Sequence, residues 1–446
     1  MSNLKKLALT GAFWTLVGYG GSQIIRFAGN LLLTRLLFPE LFGLMGIVNV
    51  FLVGLALFSD VGIGISIVQN KRGEEPAFAN TAWTVQVIRG VVLWSMCLVF
   101  AFPLAIIYDQ PQLKWLIPIV GLTTLISGFD STSLGILQRR LSLKETTFVE
   151  LGTQFTHISV MLIWAYFSPT IWALVVGGLV SVIVRLVWSH CLLVDRPNRF
   201  TWDKGAVREL FDVGRWVFIS TAFTFLAEQS DRLLLGKLFP IGLFGIYGIA
   251  LLLSDVPRQV AVAVSGKVIF PAISQLTDIP RHELRAKLLR NRQKLLLLLT
   301  LGMTILVSFG DQIVMFLYDD RYLDAAWMLP ILALGIWPRL LCSTIDVALI
   351  SIGQLQYGTI GNFTRLTFTV VGILIGYHWF GNVGAVSAVA LNDLAYYLVI
   401  MYGLSKEKLG CIAQDLKVTA MLFIGIALMV VARTILGIDF PFESIS

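Results

Sequence analysis

Several arginines lie inside long apolar stretches of the sequence, where a charge is costly unless it faces a cavity or a partner. The first stretch carries Gln23, Arg26 and Asn30, whose spacing places them on one face of a helix. Arginine stays charged at physiological pH and holds phosphate oxygens in a bidentate fork. An anionic substrate, above all a phosphate or diphosphate, is therefore indicated. The arginines of the later apolar stretches are Arg89, Arg185, Arg215, Arg258, Arg339 and Arg365.

Two of these arginines directly follow a proline, since Pro257 precedes Arg258 and Pro338 precedes Arg339. Proline removes a helix hydrogen bond and kinks the helix. At membrane depth such breaks line protein-buried or watery space rather than lipid. We therefore predict a substrate-binding set made of Arg26, Asn30, Arg89, Arg258, Arg339 and Arg365.

Simpler roles for the same side chains are open at this stage. Asp255 and Arg258 are three residues apart and can neutralise each other on one helix. Arg185 and Arg215 lie near the ends of their stretches, where a long side chain can reach the membrane interface.

Acidic side chains occur in the same apolar stretches. Glu228, Asp231 and Asp346 lie among other polar residues, and we predict that they couple transport to an ion. The alternative is that Glu228 and Asp231 form a local network with Arg232. The further acids in these stretches are Asp130, Glu150, Asp255, Asp311 and Asp393.

Motifs of enzymes and nucleotide-driven pumps do not occur in the sequence. It has no HExxH pair, Walker loop, nucleophile elbow or dinucleotide fingerprint. We therefore expect no catalytic residue, no cofactor and no metal site. Any uphill transport must then be driven by an ion gradient.

The composition of the chain indicates the class of protein that carries these residues. Of 446 residues, 57% are hydrophobic and 14% are charged, whereas a soluble domain is nearer 45–50% apolar and about 25% charged. The chain is therefore an integral membrane protein, which excludes a cytosolic enzyme, a secreted disulfide scaffold and a disordered binder. Basic residues gather in cytoplasmic loops of membrane proteins, so the net charge of +7 does not indicate nucleic-acid binding.

Apolar runs of about 20 residues predict thirteen membrane spans. With the N-terminus inside, twenty Lys and Arg side chains fall in cytoplasmic segments and three in outer loops, a strong positive-inside bias. The basic segment from Asp278 to Arg292 predicts an amphipathic helix along the inner leaflet, or else a solvated connector between two halves. The predicted spans are 9–36, 41–66, 79–108, 114–137, 146–168, 170–193, 210–238, 242–270, 294–318, 325–352, 356–379, 383–404 and 415–437.

An internal repeat relates the two halves of the chain. Leu31 to Ile47 (LLLTRLLFPELFGLMGI) and Leu233 to Ile249 (LLLGKLFPIGLFGIYGI) are identical at nine of seventeen positions without a gap. The copies begin at the first and seventh predicted spans, so both enter the membrane in the same direction. Parallel repeats of this kind are typical of transporters. The predicted organisation is a six-helix lobe (1–193), a cytoplasmic linker (194–209), a second six-helix lobe (210–404) and an accessory span (405–446).

The stretch Arg35 to Gln69, followed by Glu74–Glu75 and Asn80–Thr81–Ala82, resembles the opening of polysaccharide transporters of the Wzx flippase type. The likeness is greatest to the colanic-acid-exporter branch of the multidrug/oligosaccharidyl-lipid/polysaccharide (MOP) exporter superfamily. Ser230–Asp231–Arg232 through Gly245–Ile246–Tyr247 resembles the motif of the second repeat. The resemblance implies an all-α V-shaped bundle of two six-helix lobes; members usually have twelve or fourteen spans, against thirteen counted here.

The resemblance also implies a function. Such proteins flip undecaprenyl-diphosphate-linked oligosaccharides from the cytoplasmic to the outer leaflet of the bacterial inner membrane by alternating access, with H+ or Na+ antiport. The expected partners are the lipid-linked substrate, the ion and membrane lipid, for a monomer with the polysaccharide polymerase machinery as a candidate partner. The alternatives are a multidrug cation antiporter, which favours acids over arginines in its cavity, and a polymerase or ligase, which needs a large outer loop.

Overall fold

Long apolar segments form helices here because only a helix satisfies every backbone hydrogen bond of a single segment within lipid. The structure, a computed structural model, describes residues 2–59, 62–140, 142–193, 197–265 and 280–437, and their helical side chains except those of residues 2–13, 15, 16, 212–220 and 223. Predicted features that lie outside the described residues are Arg196, the Arg215 side chain, the end of the eighth span and the chain beyond residue 437.

Two compact units divide the chain, Met1–Phe225 (unit 1) and Leu226–Ser446 (unit 2). The linker and the first part of α9 therefore belong with unit 1. The helices that begin in unit 1 are α1 (Ser2–Leu36), α2 (Pro39–Phe58), α3 (Ile63–Gln69), α4 (Pro76–Ile107), α5 (Leu113–Gly128), α6 (Ser133–Arg139), α7 (Leu143–Phe167), α8 (Trp172–Cys191) and α9 (Lys204–Leu238).

Unit 2 contains the end of α9 and eight further helices within the described residues. A short 3-10 turn, Asp320–Tyr322, separates two of them. These helices are α10 (Ile241–Ser254), α11 (Val256–Val264), α12 (Arg281–Leu317), α13 (Ala325–Gly335), α14 (Trp337–Ser343), α15 (Asp346–Ser351), α16 (Gln356–Lys406) and α17 (Ile412–Ile435).

Helices cover most of the described part of every predicted span. Among the described residues, seven helices are long and apolar enough to cross a membrane, or nine if each of two bent pairs counts as one span. One bent pair is α5 with α6, at 57°, and the other runs from α13 to Ser351, at 42°. The total of thirteen spans stays a prediction.

The longest helix, α16, is a hairpin of two helical arms. Gly381 interrupts it with φ +58° and ψ −141°, a conformation that glycine adopts without a steric penalty. The arms pack closely, because a Cβ on Gly376 would lie 2.4 Å from the backbone oxygen of Gly384. The arms correspond to the predicted spans 356–379 and 383–404, joined by the turn at Gly381.

The basic segment before the ninth span is helical, as predicted, but it is not a separate surface helix. From Arg281 it is continuous with the span, and together they form the 37 residues of α12. Leu284 and Leu288 are buried in a cluster with Tyr396 and Leu404 of α16. Burial inside unit 2 explains why this apolar face does not require a leaflet.

Both copies of the sequence repeat adopt the same local structure. In the first copy Phe38 is extended (φ −80°, ψ 150°) between α1 and α2, and Pro39 begins α2. In the second copy Pro240 is extended (φ −53°, ψ 141°) between α9 and α10. In each copy, the break between two consecutive helices therefore falls at the same position of the repeat.

Candidate functional site

The proline before Arg258 begins a new helix after a break. Pro257 occupies the first turn of α11, and Asp255 is the residue at which α10 ends. The Arg258 guanidinium donates to both carboxylate oxygens of Asp255, Nε to Oδ1 at 2.5 Å and Nη2 to Oδ2 at 2.9 Å. The local neutralisation left open by the sequence is therefore present.

Arg365 joins the two arms of the α16 hairpin. Its Nε lies 2.9 Å from Asp393 Oδ1 and 3.4 Å from the Asn392 side-chain oxygen, both on the second arm. The ion pair is close but poorly aligned, because Asp393 Oδ1 has no hydrogen-bond partner among the described residues. Arg365 and Asp393 are mostly buried, so each offsets the desolvation of the other.

Arg339 is held differently from the other two arginines of unit 2. Pro338 lies in the first turn of α14, after the break that follows α13. The guanidinium carbon lies 3.9 Å from the centre of the Tyr396 ring, a cation–π contact. Nη2 lies 3.9 Å from Glu228 Oε1, which is too long for a hydrogen bond. Nη1 is buried and has no hydrogen-bond partner among the described residues.

The three acids predicted to couple an ion occupy different surroundings. Asp231 is buried and accepts a hydrogen bond of 2.5 Å from the Tyr247 hydroxyl. Glu228 has a side chain that is 44% exposed. Asp346 lies in the first turn of α15, where the helix dipole favours a negative charge, and its charge acts on Arg339.

These residues form one electrostatically connected group, which we call the unit-2 cluster. The charges of Arg339 and Glu228 act on Arg258, and the charge of Asp393 acts on Arg339. Arg365 is linked to the same group through Asp393 and through its effect on Tyr247. The unit-2 cluster consists of Glu228, Asp231, Asp255, Arg258, Arg339, Asp346, Arg365 and Asp393. Six of the nine residues predicted for substrate or ion binding thus lie together in unit 2.

Unit 1 contains the other three predicted residues, Arg26, Asn30 and Arg89. The Arg26 side chain is exposed, and no ion pair to it occurs within the part of the chain that the structure describes. Asn30 is half-buried one turn further along α1. Arg26 therefore has its guanidinium donors available to a ligand.

Arg89 is tied to the end of α2. Its Nε donates to Ser59 Oγ at 2.9 Å, and its Nη2 donates to the Ala56 carbonyl at 2.6 Å. These contacts hold two of its donors against the carbonyls and hydroxyl that terminate a helix, where a cation also complements the helix dipole. Arg89 thus positions α2 in addition to any role in binding.

Two buried ion pairs were missed by the sequence reasoning. Arg292 Nη1 lies 2.6 Å from Asp415 Oδ1, and Arg433 forms a bidentate pair with Asp311 at 2.7 and 2.6 Å. All four side chains are at most 2% exposed. Both pairs join α12 to α17, and their order along the two helices makes them parallel, as the predicted ninth and thirteenth spans require. The available signal was the nearly equal spacing of opposite charges, 292 to 311 and 415 to 433.

A network of charged side chains lies at the start of α9 in unit 1. Arg72 pairs with Glu75 at 2.8 Å, with Asp203 at 2.9 Å and with Glu209 at 3.1 Å. The hydrogen bonds that Arg72 donates to these three carboxylates raise its pKa. The pKa of Asp203 is lowered chiefly by its bond to Arg72, and that of Glu209 by bonds to Asn70 and then Arg72.

The linker before α9 is docked on α4. Backbone N–H groups of Arg199, Thr201 and Asp203 donate to side-chain oxygens of Asn80, Thr84 and Thr81, respectively. In addition, α9 residues are buried with α3 and α4 in one cluster that includes Ile63, Phe78, Ala206 and Leu210. About the first two-thirds of α9 belong to unit 1, and these contacts fix the start of the helix on that unit.

The sequence has recognisable relatives. A profile of a polysaccharide biosynthesis protein family matches residues 32–327. The chain belongs to this family. It is 23% identical over 341 residues to the succinoglycan biosynthesis transport protein ExoT of Rhizobium meliloti (strain 1021), which covers 76% of this chain and 68% of that protein. It is 22% identical over 284 residues to the lipopolysaccharide biosynthesis protein WzxC of Escherichia coli (strain K12), which covers 62% and 56%.

Solved structures share the fold. The lipid II flippase MurJ in an inward closed conformation superimposes with a TM-score of 0.73 at 13% identity, over 92% of each chain. An inward-facing multidrug resistance MATE family transporter of the MOP superfamily gives 0.68 at 14% identity, over 86% of this chain and 94% of that one. The all-α membrane fold and the resemblance to polysaccharide transporters are thereby confirmed, and the protein is a multi-pass membrane transporter rather than an enzyme.

Proposed function

We propose that this protein flips undecaprenyl-diphosphate-linked oligosaccharides from the cytoplasmic to the outer leaflet for capsule, O-antigen or exopolysaccharide export. The observation that carries the proposal is the unit-2 cluster, in which Arg258 and Arg365 are paired with carboxylates while Arg339 has a buried Nη1 without a hydrogen-bond partner among the described residues. Membership of a polysaccharide biosynthesis family supports the substrate class. The fold shared with a lipid II flippase supports movement of a lipid-linked headgroup.

The diphosphate is the part of this substrate that arginines recognise. Phosphate oxygens accept paired hydrogen bonds from a guanidinium fork, and each charged bond contributes about 1.5–3 kcal/mol. Arg26 in unit 1 and Arg339 in unit 2 have donors available for this contact. Asn30 supplies an amide for the headgroup, while Arg89, Arg258 and Arg365 hold the surrounding polar groups in place through the contacts described above.

The transport cycle is alternating access of the headgroup site to the two membrane faces, coupled to an H+ or Na+ gradient. Glu228, Asp231 and Asp346 supply the carboxylates, because a carboxylate can bind either a proton or a hard cation. Their placement around Arg339 and Tyr247 supports a link between ion binding and the headgroup site. The exposed Glu228 gives an ion a route to the cluster.

The protein acts in the bacterial inner membrane with its N-terminus in the cytoplasm. The basis for this orientation is the excess of basic residues in the predicted cytoplasmic segments, twenty against three. The parallel arrangement of α12 and α17 supports a topology in which the end of α17 lies on the same side as Leu317, the outer side in this orientation. Cysteine labelling from each side of the membrane tests this topology.

The first experiment is lipid analysis of a deletion strain. We expect undecaprenyl-diphosphate oligosaccharide to accumulate in the cytoplasmic leaflet while the surface polymer disappears. Unchanged lipid intermediates with normal surface polymer would overturn the proposal and favour a multidrug antiporter. Accumulation on the outer leaflet would instead identify a polymerase or ligase step.

A further inference from the structure

Arg339 lies on an aromatic platform that the α16 hairpin builds. One face of the Tyr396 ring meets the Arg339 guanidinium, at 3.9 Å from carbon to ring centre. On the opposite arm of the hairpin, Gly361 packs against the same ring so closely that a Cβ there would lie 2.8 Å from Tyr396 Cδ2. Because Gly361 has no side chain, the Tyr396 ring can pack against it. The ring in turn supports the Arg339 guanidinium.

The platform leaves one edge of Arg339 unsatisfied. Its contact with Glu228 is 3.9 Å, and Nη1 is buried without a hydrogen bond to any described residue. A buried charged donor without an acceptor is costly, so this edge needs a ligand oxygen or water. By contrast, Arg258 donates twice to Asp255, and Arg365 lies 2.9 Å from Asp393. Within the unit-2 cluster, Arg339 is thus the arginine without a close carboxylate partner.

Stacking fixes the orientation of a guanidinium as well as its position. Arginine presents its donors in one plane, so an aromatic ring beneath that plane keeps the donor edge directed outwards. Two oxygens can then approach the edge in the plane, and a diphosphate can supply one from each of its phosphates, which a monophosphate cannot. Lysine cannot use such a platform in the same way, because its ammonium is a compact point charge.

We propose that Tyr396 and Gly361 are positioning residues for substrate recognition, and that they hold the Arg339 edge in the plane needed to bind a diphosphate in preference to a monophosphate. The inference rests on the proposed function and deepens it by assigning the headgroup specificity to one stacked arginine. Neither positioning residue touches the substrate; each acts through the guanidinium.

The hairpin supplies a matched control at its other end. Tyr357 packs against Gly403 with the same kind of close contact, at 2.6 Å from a Cβ placed on Gly403. Its ring meets Tyr402 in an edge-on arrangement rather than an arginine. Tyr357 and Tyr396 are both 5% exposed and belong to one buried cluster, so their loss should affect packing to a similar degree.

The test measures binding of undecaprenyl diphosphate, undecaprenyl phosphate and undecaprenol to the full chain in nanodiscs. For Tyr396→Leu we expect diphosphate binding to weaken about 10-fold, as loss of a desolvated cation–π contact implies, with a much smaller change for the monophosphate. Tyr396→Phe should keep the wild-type ratio because the ring remains. Gly361→Ala should shift the ratio in the same direction as Tyr396→Leu, whereas Tyr357→Leu and Gly403→Ala should lower only the unfolding midpoint.

The outcomes separate the inference from the proposed function. Tyr396→Leu with an unchanged diphosphate-to-monophosphate ratio overturns the inference, and so does a Tyr396→Phe variant as weak as Tyr396→Leu. An altered ratio in Tyr357→Leu equal to that in Tyr396→Leu also overturns it, since general packing would then explain both. If the wild-type protein binds undecaprenol as tightly as undecaprenyl diphosphate, the proposed function itself fails. An arm with inorganic diphosphate distinguishes a lipid headgroup site from a site for the free anion.

Discussion

The arginines predicted to bind substrate are held differently in the two units of the protein. In unit 2, Arg258 and Arg365 are paired with carboxylates, and Arg339 has a distant one. In unit 1, Arg26 is exposed and has no ion pair within the described residues, and Arg89 gives two donors to a neutral carbonyl and a hydroxyl. An arginine neutralised by a carboxylate has fewer donors and little net charge left for a phosphate. The comparison shows that the number of arginines overstates the number of available donors, and we propose that anion binding is concentrated at Arg26 and Arg339.

The largest expected effect is at Arg26. Arg26→Ala should lower export of surface polymer by at least about 10-fold, because a charged hydrogen bond to phosphate contributes about 1.5–3 kcal/mol. Polymer is measured in the complemented deletion strain, together with the amount of folded protein in the membrane. Lys71→Ala, which removes an exposed cation from the same unit, should export normally. Normal export by Arg26→Ala would contradict the assignment of this residue and the contrast between the units.

The second largest effect concerns the buried pairs that join α12 to α17. Asp415→Asn leaves the charge of Arg292 buried without its partner, so we expect the protein to lose about 3–5 kcal/mol of stability. The midpoint of thermal unfolding in detergent reports this loss. The double variant Arg292→Met/Asp415→Leu should recover most of it, because no charge is left in the interior. A double variant no better than Asp415→Asn would show that the ion pair itself, and not the orphaned charge, determines the effect.

Arg89 is expected to show an intermediate effect that sharpens the contrast within unit 1. Arg89→Gln removes hydrogen bonds to the Ala56 carbonyl and the Ser59 hydroxyl, and we expect about 1–3 kcal/mol of destabilisation. Export per folded molecule should fall less than in Arg26→Ala. The comparison requires unfolding midpoints and export rates of both variants at matched protein levels. Equal loss of export in the two would place Arg89 in direct contact with substrate.

The smallest effect is expected at the Arg72 network. Because the pKa values of Asp203 and Glu209 are lowered in the folded protein, the network stabilises the docked linker above the usual carboxylate range. This stabilisation is lost as the pH falls through the lowered pKa values of the folded state. Hydrogen exchange of residues 197–203 should then rise a few-fold, and also with added salt, since the network is exposed. Arg72→Gln should reduce the pH dependence, and Lys71→Gln should retain it in full; equal pH dependence in Arg72→Gln and the wild type would contradict this account.

Much of the architecture could be predicted from sequence because a lipid environment restricts the choices. The apolar runs gave the helices, and Pro257 and Pro338 marked the true breaks before Arg258 and Arg339. The two copies of the repeat have their breaks at equivalent positions, Phe38 in the first copy and Pro240 in the second. For the basic segment, the sequence left both a helix along the leaflet and a solvated connector open, because it shows an apolar face but not what covers it; in unit 2 the buried residues of α16 do so.

Pairing of charges was beyond sequence reasoning for a different reason. Asp255 and Arg258 are close enough along the chain for their pairing to be considered from spacing. Arg365 and Asp393 meet across a hairpin, and Arg292 and Asp415 meet across two helices that are 123 residues apart in sequence. Such contacts depend on which helices become neighbours and on how each is rotated.

By itself, the sequence determined that this chain is a helical membrane transporter with a repeated unit and with charges at membrane depth, because hydrophobicity and periodicity are local properties of the chain. Only the tertiary structure decided which charged side chains pair with each other and which have donors available to a ligand. Arg258 and Arg339 each follow a proline in the sequence, yet one is locked to Asp255 while the other lies on Tyr396 with an unfilled donor. The physical reason is that the free donors of an arginine depend on the acceptors that folding brings within hydrogen-bonding distance.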